Sequence, residues 1–206
     1  GAVAPAHGRV GDTTVRRARY RIDWAQRTMA LDPGRTYTYG YSMGGAGATN
    51  IAFHLGDRIA GAISAVGNSD LSFMADPDTA FFFSLHGYLR QDIDRLWGTV
   101  ATNLPAAAGS REYEQLNCGF LATDPAHGVI PPVFLLDRKR DTTMGWAEHI
   151  GFYQAIEQGR RGGPIAWEDV PHTTAVAPAG PPWRHPAGLA PFRPHPQCPA
   201  TPTCAL

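Results

Sequence analysis

This sequence of 206 residues has few cysteines, no excess of charge of one sign and no long apolar runs. Three cysteines are too few for a disulfide scaffold: Cys198 and Cys204 could close one small loop with Cys118 left free, so the compartment is undecided. The 18 Lys and Arg balance the 18 Asp and Glu without forming a basic face. No apolar run approaches the roughly 20 residues of a membrane span. We therefore expect neither a nucleic-acid partner nor a membrane partner.

The two ends of the sequence also lack features. The start has no initiating Met and no basic or apolar region of a signal peptide, so we expect a processed chain or part of something longer. Residues 177–206 hold nine of the 18 prolines, which excludes a helix or central strand and predicts an irregular tail. The spacing of its His and Cys residues is too irregular for zinc, and we expect no metal; these residues are His185, His195, Cys198 and Cys204.

Between these ends, helical patterns alternate with apolar strands. Strands that are apolar without period-two alternation favour a mostly parallel sheet covered by helices on both faces, an α/β fold over residues 1–176. The aromatic-rich segment 67–128 breaks the alternation and is interpreted as a cap-like insertion. The predicted helices are Val15–Leu31 (capped by Thr13 or Thr14), Met43–Leu55 and Trp146–Arg161, the last with Ile150, Tyr153, Ala155 and Ile156 inward. The predicted strands are Arg35–Tyr41, Ile59–Val66, Val133–Leu136 and Ile165–Glu168.

The pentapeptide Gly-Tyr-Ser-Met-Gly at residues 40–44 follows the first predicted strand and opens a helix. In that context G-x-S-x-G is typical of a nucleophile elbow, a sharp turn that exposes the serine hydroxyl. We expect Gly40 and Gly44 to be required because a Cβ at either position would clash with the strand or helix backbone. Ser42 is thereby the candidate nucleophile.

Two further polar residues follow later strands in the order Ser, Asp, His. Asp141 comes after Val133–Leu136 and a short loop of residues 137–140, and His172 comes after the last strand. The carboxyl ends of parallel strands meet at one edge of the sheet, so the three side chains are expected close together. A serine hydroxyl needs an imidazole to take its proton, and the imidazole needs a carboxylate to fix its tautomer. The order predicts a Ser42–Asp141–His172 triad.

The stretches ALDPGRTYTYGYSMGGAGATNIAFHLGDRIAGAIS and PPVFLLDRKRDTTMGWAEHIGFYQAIEQGRRGGPIAWEDVPHTT resemble α/β-hydrolases of the esterase and prolyl-oligopeptidase-like group. The resemblance covers about Val15 to Thr174. It implies that Asp141 holds the acid position, while Asp137-Arg138 replaces the usual His-Gly and leaves Asp137 as the alternative acid. It also implies that the N–H of Met43 is one oxyanion donor.

The resemblance further implies four earlier strands and a second oxyanion donor ahead of the nucleophile, whereas one helix and one strand precede Ser42. We therefore expect the carboxyl-terminal part of an α/β-hydrolase fold, with a sheet edge open to self-association. The expected activity is hydrolysis of a small-molecule carboxylic ester through an acyl-enzyme on Ser42, with no cofactor. Two alternatives stay open: a non-catalytic or truncated protein of this fold, and a serine peptidase.

Overall fold

The computed structural model describes residues 3–71, 93–107, 109–144 and 146–172. The predicted tail at 177–206 lies outside these residues, as does most of the aromatic part of the predicted insertion. Among the described residues, no helix has the length and apolar character needed to cross a membrane.

Helices and strands alternate along most of the described chain. A 3-10 turn at Pro33–Arg35 precedes the first strand, and residues 93–97 are helical. The strands are β1 (Tyr37–Tyr41), β2 (Gly61–Ala65), β3 (Val133–Arg138) and β4 (Ile165–Glu168). The helices are α1 (Thr13–Thr28), α2 (Met43–His54), α3 (Glu112–Gln115), α4 (Cys118–Thr123) and α5 (Trp146–Gln158).

The four strands form one sheet in the order β1-β2-β3-β4, and every neighbouring pair is parallel. The register places Tyr41 opposite Ala65, and Ala65 opposite Leu136. The carboxyl ends of all four strands therefore lie at the same edge, where ligands bind in open α/β sheets. This arrangement confirms the predicted α/β fold class.

A single apolar cluster joins the sheet to the helices. Its members are buried apolar side chains of β2, β3, α2, α4 and α5 and of the connection from α2 to β2, each contributing roughly 1.5–3 kcal/mol when large. Three of them, Cys118, Leu121 and Ala122, lie within the segment predicted as an insertion, so this part packs with the sheet. The domain boundaries themselves stay a prediction. The cluster comprises Ala52, Phe53, Leu55, Ile59, Ala62, Cys118, Leu121, Ala122, Val133, Leu135, Phe152 and Ile156.

Three local predictions were wrong. Helix α1 begins at Thr13 with Asp12 at its N-cap position, so neither Thr13 nor Thr14 caps it. Strand β3 continues two residues beyond Leu136, because Asp137 and Arg138 pair with Trp167 and Glu168 of β4, so they are not part of a loop. On α5, Ile150 is 44% exposed, whereas Tyr153 and Ala155 pack against the core as expected. Residues 149, 152 and 156 form the inward face. The polar side chain of His149 is buried there, whereas the pattern predicted the apolar Ile150.

Strand β1 forms one edge of the sheet in the described part of the chain, where it pairs with β2. Three tyrosines on it, Tyr37, Tyr39 and Tyr41, are exposed. An edge strand is a template for pairing with another chain. Self-association at this edge stays a prediction.

Candidate active site

Ser42 occupies the turn between β1 and α2 with φ 56° and ψ −126°. A non-glycine residue in this region carries strain of the order of 1–3 kcal/mol and persists when its surroundings hold it there. The Ser42 N–H donates to the carbonyl of Ala65 at 2.8 Å, and the Ser42 carbonyl accepts from the N–H of Ala46 at 3.0 Å. The neighbouring strand and the first turn of α2 thus fix the elbow.

Close backbone approach explains one of the two motif glycines. A Cβ on Gly40 would lie 1.9 Å from the carbonyl oxygen of Gly44, which no rearrangement of a side chain can relieve. The expectation for Gly44 was wrong, because a Cβ there meets nothing within 4 Å. Gly45 is the second required glycine. A Cβ there would lie 2.8 Å from the Oγ of Ser64 on β2 and 3.0 Å from the Cα of Gly67, just after β2.

The structure brings the three predicted residues together at the carboxyl edge of the sheet. The Ser42 Oγ lies 2.9 Å from Nε2 of His172, and Nδ1 of His172 lies 2.5 Å from Oδ2 of Asp141. With neutral imidazole, Nδ1–H donates to the carboxylate and Nε2 accepts the serine proton. His172 is 9% exposed and Asp141 2%, so water competes little for these bonds. Such a chain of hydrogen bonds can activate a serine nucleophile.

The Asp141 carboxylate is held by its own loop. Its Oδ1 accepts hydrogen bonds from the backbone N–H groups of Thr143 at 2.7 Å and Met144 at 2.9 Å, while Oδ2 faces the imidazole. Hydrogen bonds from N–H to an ionised acceptor are about twice as strong as neutral ones. Both carboxylate oxygens therefore have defined partners before any substrate binds.

Two residues that the sequence did not single out hold the backbone of His172. Arg138 is 1% exposed, and its Nη1 donates to the carbonyl of His172 and, at 3.3 Å, to that of Pro171. The Tyr41 hydroxyl donates to the same His172 carbonyl. The available signal was Arg138 itself, which stands where the family pattern has a small glycine. Its long side chain crosses from β3 to the end of the β4 loop.

Asp137, the alternative acid, faces away from this arrangement toward α5. Its Oδ2 accepts a hydrogen bond from the Tyr153 hydroxyl at 2.6 Å, and Nδ1 of His149 lies 3.6 Å away. Since Asp141 rather than Asp137 contacts the imidazole of His172, the geometry favours Asp141 as the orienting carboxylate.

Asp137 belongs to a buried cluster of titratable groups with Glu148, His149 and Tyr153. Burial raises the pKa of Asp137 to about 7 and that of Glu148 to about 8, and it lowers the pKa of His149 to about 4. Burial also raises the pKa of Tyr153. Glu148 Oε1 accepts from the N–H of Ser69 at 2.8 Å. In the described part of the chain, four buried atoms in or next to this cluster lack a hydrogen-bond partner: Asp137 Oδ1, Arg138 Nε, Glu148 Oε2 and His149 Nε2.

The elbow opens onto a pocket of about 830 Å³ that Ser42 and Met43 help to line. Met43 is the first residue of α2, so its N–H is one of the donors that a helix N-terminus leaves without an intrahelical partner. The helix N-terminus also favours negative charge. Within the described ranges, no group of three or more His, Cys, Asp or Glu residues could hold a metal ion.

Solved structures with the same fold include peptidases and an esterase. A putative dipeptidyl aminopeptidase IV from Bacteroides ovatus matches 84% of this chain and 21% of its own at 14% identity, with a TM-score of 0.60. A puromycin-hydrolyzing peptidase of Mycobacterium tuberculosis matches 77% and 21% at 22% identity, with a TM-score of 0.56. A Pyrococcus furiosus esterase matches 82% and 56% at 16% identity, with a TM-score of 0.53. No protein-family model and no curated protein sequence matches the chain.

The chain has the α/β-hydrolase fold. The solved structures that share this fold are peptidases and an esterase, and the likeness confirms the fold that the resemblance implied. The chain spans about a fifth of the length of the two peptidases and about half of the esterase.

Proposed function

We propose that this chain is a serine hydrolase that cleaves carboxylic esters through an acyl-enzyme on Ser42. The observation that carries the proposal is the continuous hydrogen-bonded line from the Ser42 hydroxyl through the His172 imidazole to the Asp141 carboxylate. A Gly-rich turn serine has no reason to adopt a strained backbone with an oriented, nearly buried imidazole beside it. The site sits at the carboxyl edge of the sheet, where this fold places its chemistry.

In the proposed mechanism, Nε2 of His172 takes the Ser42 proton while Oγ attacks the ester carbonyl. Asp141 keeps the imidazole in the tautomer that leaves Nε2 free and stabilises the imidazolium that forms. The Met43 N–H donates to the oxyanion, and one such donor is worth roughly 2.7–4 kcal/mol of transition-state stabilisation. His172 then returns the proton to the leaving alcohol, and water hydrolyses the acyl-enzyme by the same steps.

Turnover of chromogenic substrates tests the proposal. We expect the wild-type chain to release p-nitrophenol from p-nitrophenyl esters, and Ser42→Ala to abolish this release with an unchanged melting temperature. Ester hydrolysis that persists at the wild-type rate in Ser42→Ala contradicts the assignment of the nucleophile. A folded wild-type chain that hydrolyses no ester contradicts the function.

A serine peptidase is the second candidate, and the peptidases among the structural neighbours favour it. Peptidyl p-nitroanilides distinguish the two candidates, because cleavage of an amide depends more on protonation of its leaving group than cleavage of an activated ester does. Faster turnover of anilides than of matched esters supports the peptidase. A protein of this fold without catalysis is the remaining alternative, and it predicts turnover of neither substrate.

A further inference from the structure

The pocket at Ser42 is long and follows one face of α2. Its wall includes Met43 at the start of that helix and His54 at its last residue, with Gly47 and Asn50 between them. Eleven residues separate Met43 from His54, which is about 16 Å at the rise of an α-helix. A substrate that fills this pocket must therefore extend well beyond the bond that Ser42 attacks.

A buried carboxylate lines the same pocket. Glu112 is the first residue of α3 and is only 8% exposed. Burial raises the pKa of its carboxyl to about 6, and none of the described residues forms a hydrogen bond or ion pair with that carboxyl. Buried charges in folded proteins are as a rule paired, because an isolated charge out of water is costly. Glu112 thus presents an unmatched negative charge to the pocket at neutral pH.

The other charged groups of the pocket wall do not neutralise it. Arg16 forms an ion pair with Asp12 at 2.9 Å, and Arg19 forms one with Asp57 at 2.7 Å. Burial lowers the pKa of His54, so its imidazole is uncharged at neutral pH, and its Nε2 lies 2.9 Å from the carbonyl of Gln115. Among the described residues of the pocket wall, none supplies the charge complementary to Glu112, and a ligand can supply it.

We propose that Glu112 is a specificity-determining residue that binds the cationic ammonium group of an extended substrate whose ester carbonyl lies at Ser42. This deepens the proposed function and rests on it. Glu112 lies on α3, whose Gln115 contacts His54 at the end of the pocket away from Ser42. The described pocket wall is mostly apolar, with residues such as Leu71, Leu96 and Trp97, which suits an alkyl or aromatic spacer. The preferred substrate class is then an ester with an apolar spacer and a terminal cation.

Matched pairs of substrates test this assignment. The probes are p-nitrophenyl alkanoates that end in a trimethylammonium group and their isosteres of the same chain length that end in a tert-butyl group. We expect wild-type kcat/KM to favour the cationic member at the longer chain lengths. Glu112→Gln lowers this preference by about tenfold or more, the size of a partly desolvated charge interaction. An unchanged preference in Glu112→Gln overturns the proposal.

A control in the same helix separates a local charge interaction from a general effect. Glu114→Gln makes the same charge change two residues away, where the side chain accepts a hydrogen bond from the N–H of Arg111. We expect this variant to retain the wild-type preference. Glu112→Asp keeps the charge and should retain part of the preference, so it answers the question even where Glu112→Gln folds poorly. Equal loss of preference in Glu112→Gln and Glu114→Gln contradicts the assignment.

The pH dependence of the preference gives a second readout. Any effect of pH on the catalytic groups is common to both members of a pair, so it cancels in the ratio of their kcat/KM values. Among the described residues, the other ionisable side chains that line the pocket are Asp12, Arg16, Arg19 and His54. We expect the preference for the cation to disappear as the pH falls through about 6, where Glu112 takes up a proton. A preference that stays constant down to pH 5 contradicts the role of Glu112.

Binding without turnover distinguishes failure of this proposal from failure of the proposed function. Heptyltrimethylammonium ion, titrated calorimetrically into Ser42→Ala, should bind at least about tenfold more tightly than it binds to the double variant Ser42→Ala, Glu112→Gln. Equal affinities overturn the cation site even where esters are hydrolysed. A tenfold difference combined with no ester hydrolysis by the wild type retains the cation site and removes the esterase.

Discussion

Asp137, near the end of β3, and Asp141, in the loop after it, lie four residues apart, and their carboxyl groups have opposite surroundings. Asp141 accepts two backbone N–H bonds and faces the imidazole of His172. Asp137 has one hydrogen-bond donor, the Tyr153 hydroxyl, and its other oxygen has none. Because Asp137 lies in β3, the backbone N–H groups of the adjacent residues belong to the sheet and do not converge on its carboxyl group. Asp141 lies in a turn whose free N–H groups can converge on it.

The difference shows how one stretch of chain places two carboxyl groups in opposite surroundings. Backbone N–H donors stabilise the ionised form of a carboxyl, whereas burial without donors favours the protonated form. The region of Asp141 is organised for an imidazolium that forms and disappears during a reaction. Asp137, Glu148 and His149 pack together between β3 and α5, where ionisation of a buried side chain costs free energy.

Replacing each carboxylate in turn gives the largest expected contrast. Asp141→Asn keeps the shape but favours the wrong imidazole tautomer, so kcat for p-nitrophenyl ester hydrolysis should fall by about 10⁴. Asp137→Asn, which still accepts from Tyr153, should leave kcat within a few-fold of wild type. Comparable losses in both variants would show that Asp137 shares the acid role.

The hold on the His172 backbone should give an intermediate effect. Tyr41→Phe and Arg138→Met each remove a donor to the His172 carbonyl. We expect kcat to fall by about fivefold with KM little changed, since about 1 kcal/mol of positioning is lost. Steady-state kinetics on a p-nitrophenyl ester measure this split. Arg140→Met is the matched control, because Arg140 donates to the carbonyl of Asp169 on the exposed surface. A change in KM alone, or an equal loss in Arg140→Met, contradicts a positioning role.

The last contrast concerns the stability of the fold against pH. Asp137 and Glu148 have folded pKa values of about 7 and about 8, above those of the unfolded chain, so the folded chain holds protons that unfolding releases. Their contribution to the free energy of unfolding therefore falls as the pH rises from about 4 to about 8, by at most about 1.4 kcal/mol per pH unit for each group. His149, with its lowered pKa, acts in the opposite direction between about 4 and 6.5.

Urea unfolding at pH 6.5 and pH 8 isolates the two acids from His149. We expect the wild type to lose stability over this interval and the double variant Asp137→Asn, Glu148→Gln to lose less. If the double variant keeps the wild-type pH dependence, these two buried acids do not determine how stability varies with pH.

The features that could be predicted from the sequence are those that depend on short segments and on the order of the strands. Ser42, Asp141 and His172 were chosen because each follows a strand, and a parallel sheet brings such positions to one edge. Gly45, Arg138 and Glu112 were not predicted, because their roles depend on contacts between distant segments. Gly45 is required by the approach of the chain after β2, and Arg138 acts through the loop after β4.

Labelling with a fluorophosphonate probe, followed by peptide mass spectrometry, tests the central claim most directly. The account predicts one adduct on Ser42 in the folded chain, slower labelling in Asp141→Asn, and none after heat denaturation. No adduct on Ser42 in the folded chain, or the same labelling before and after denaturation, would contradict an activated serine at this elbow.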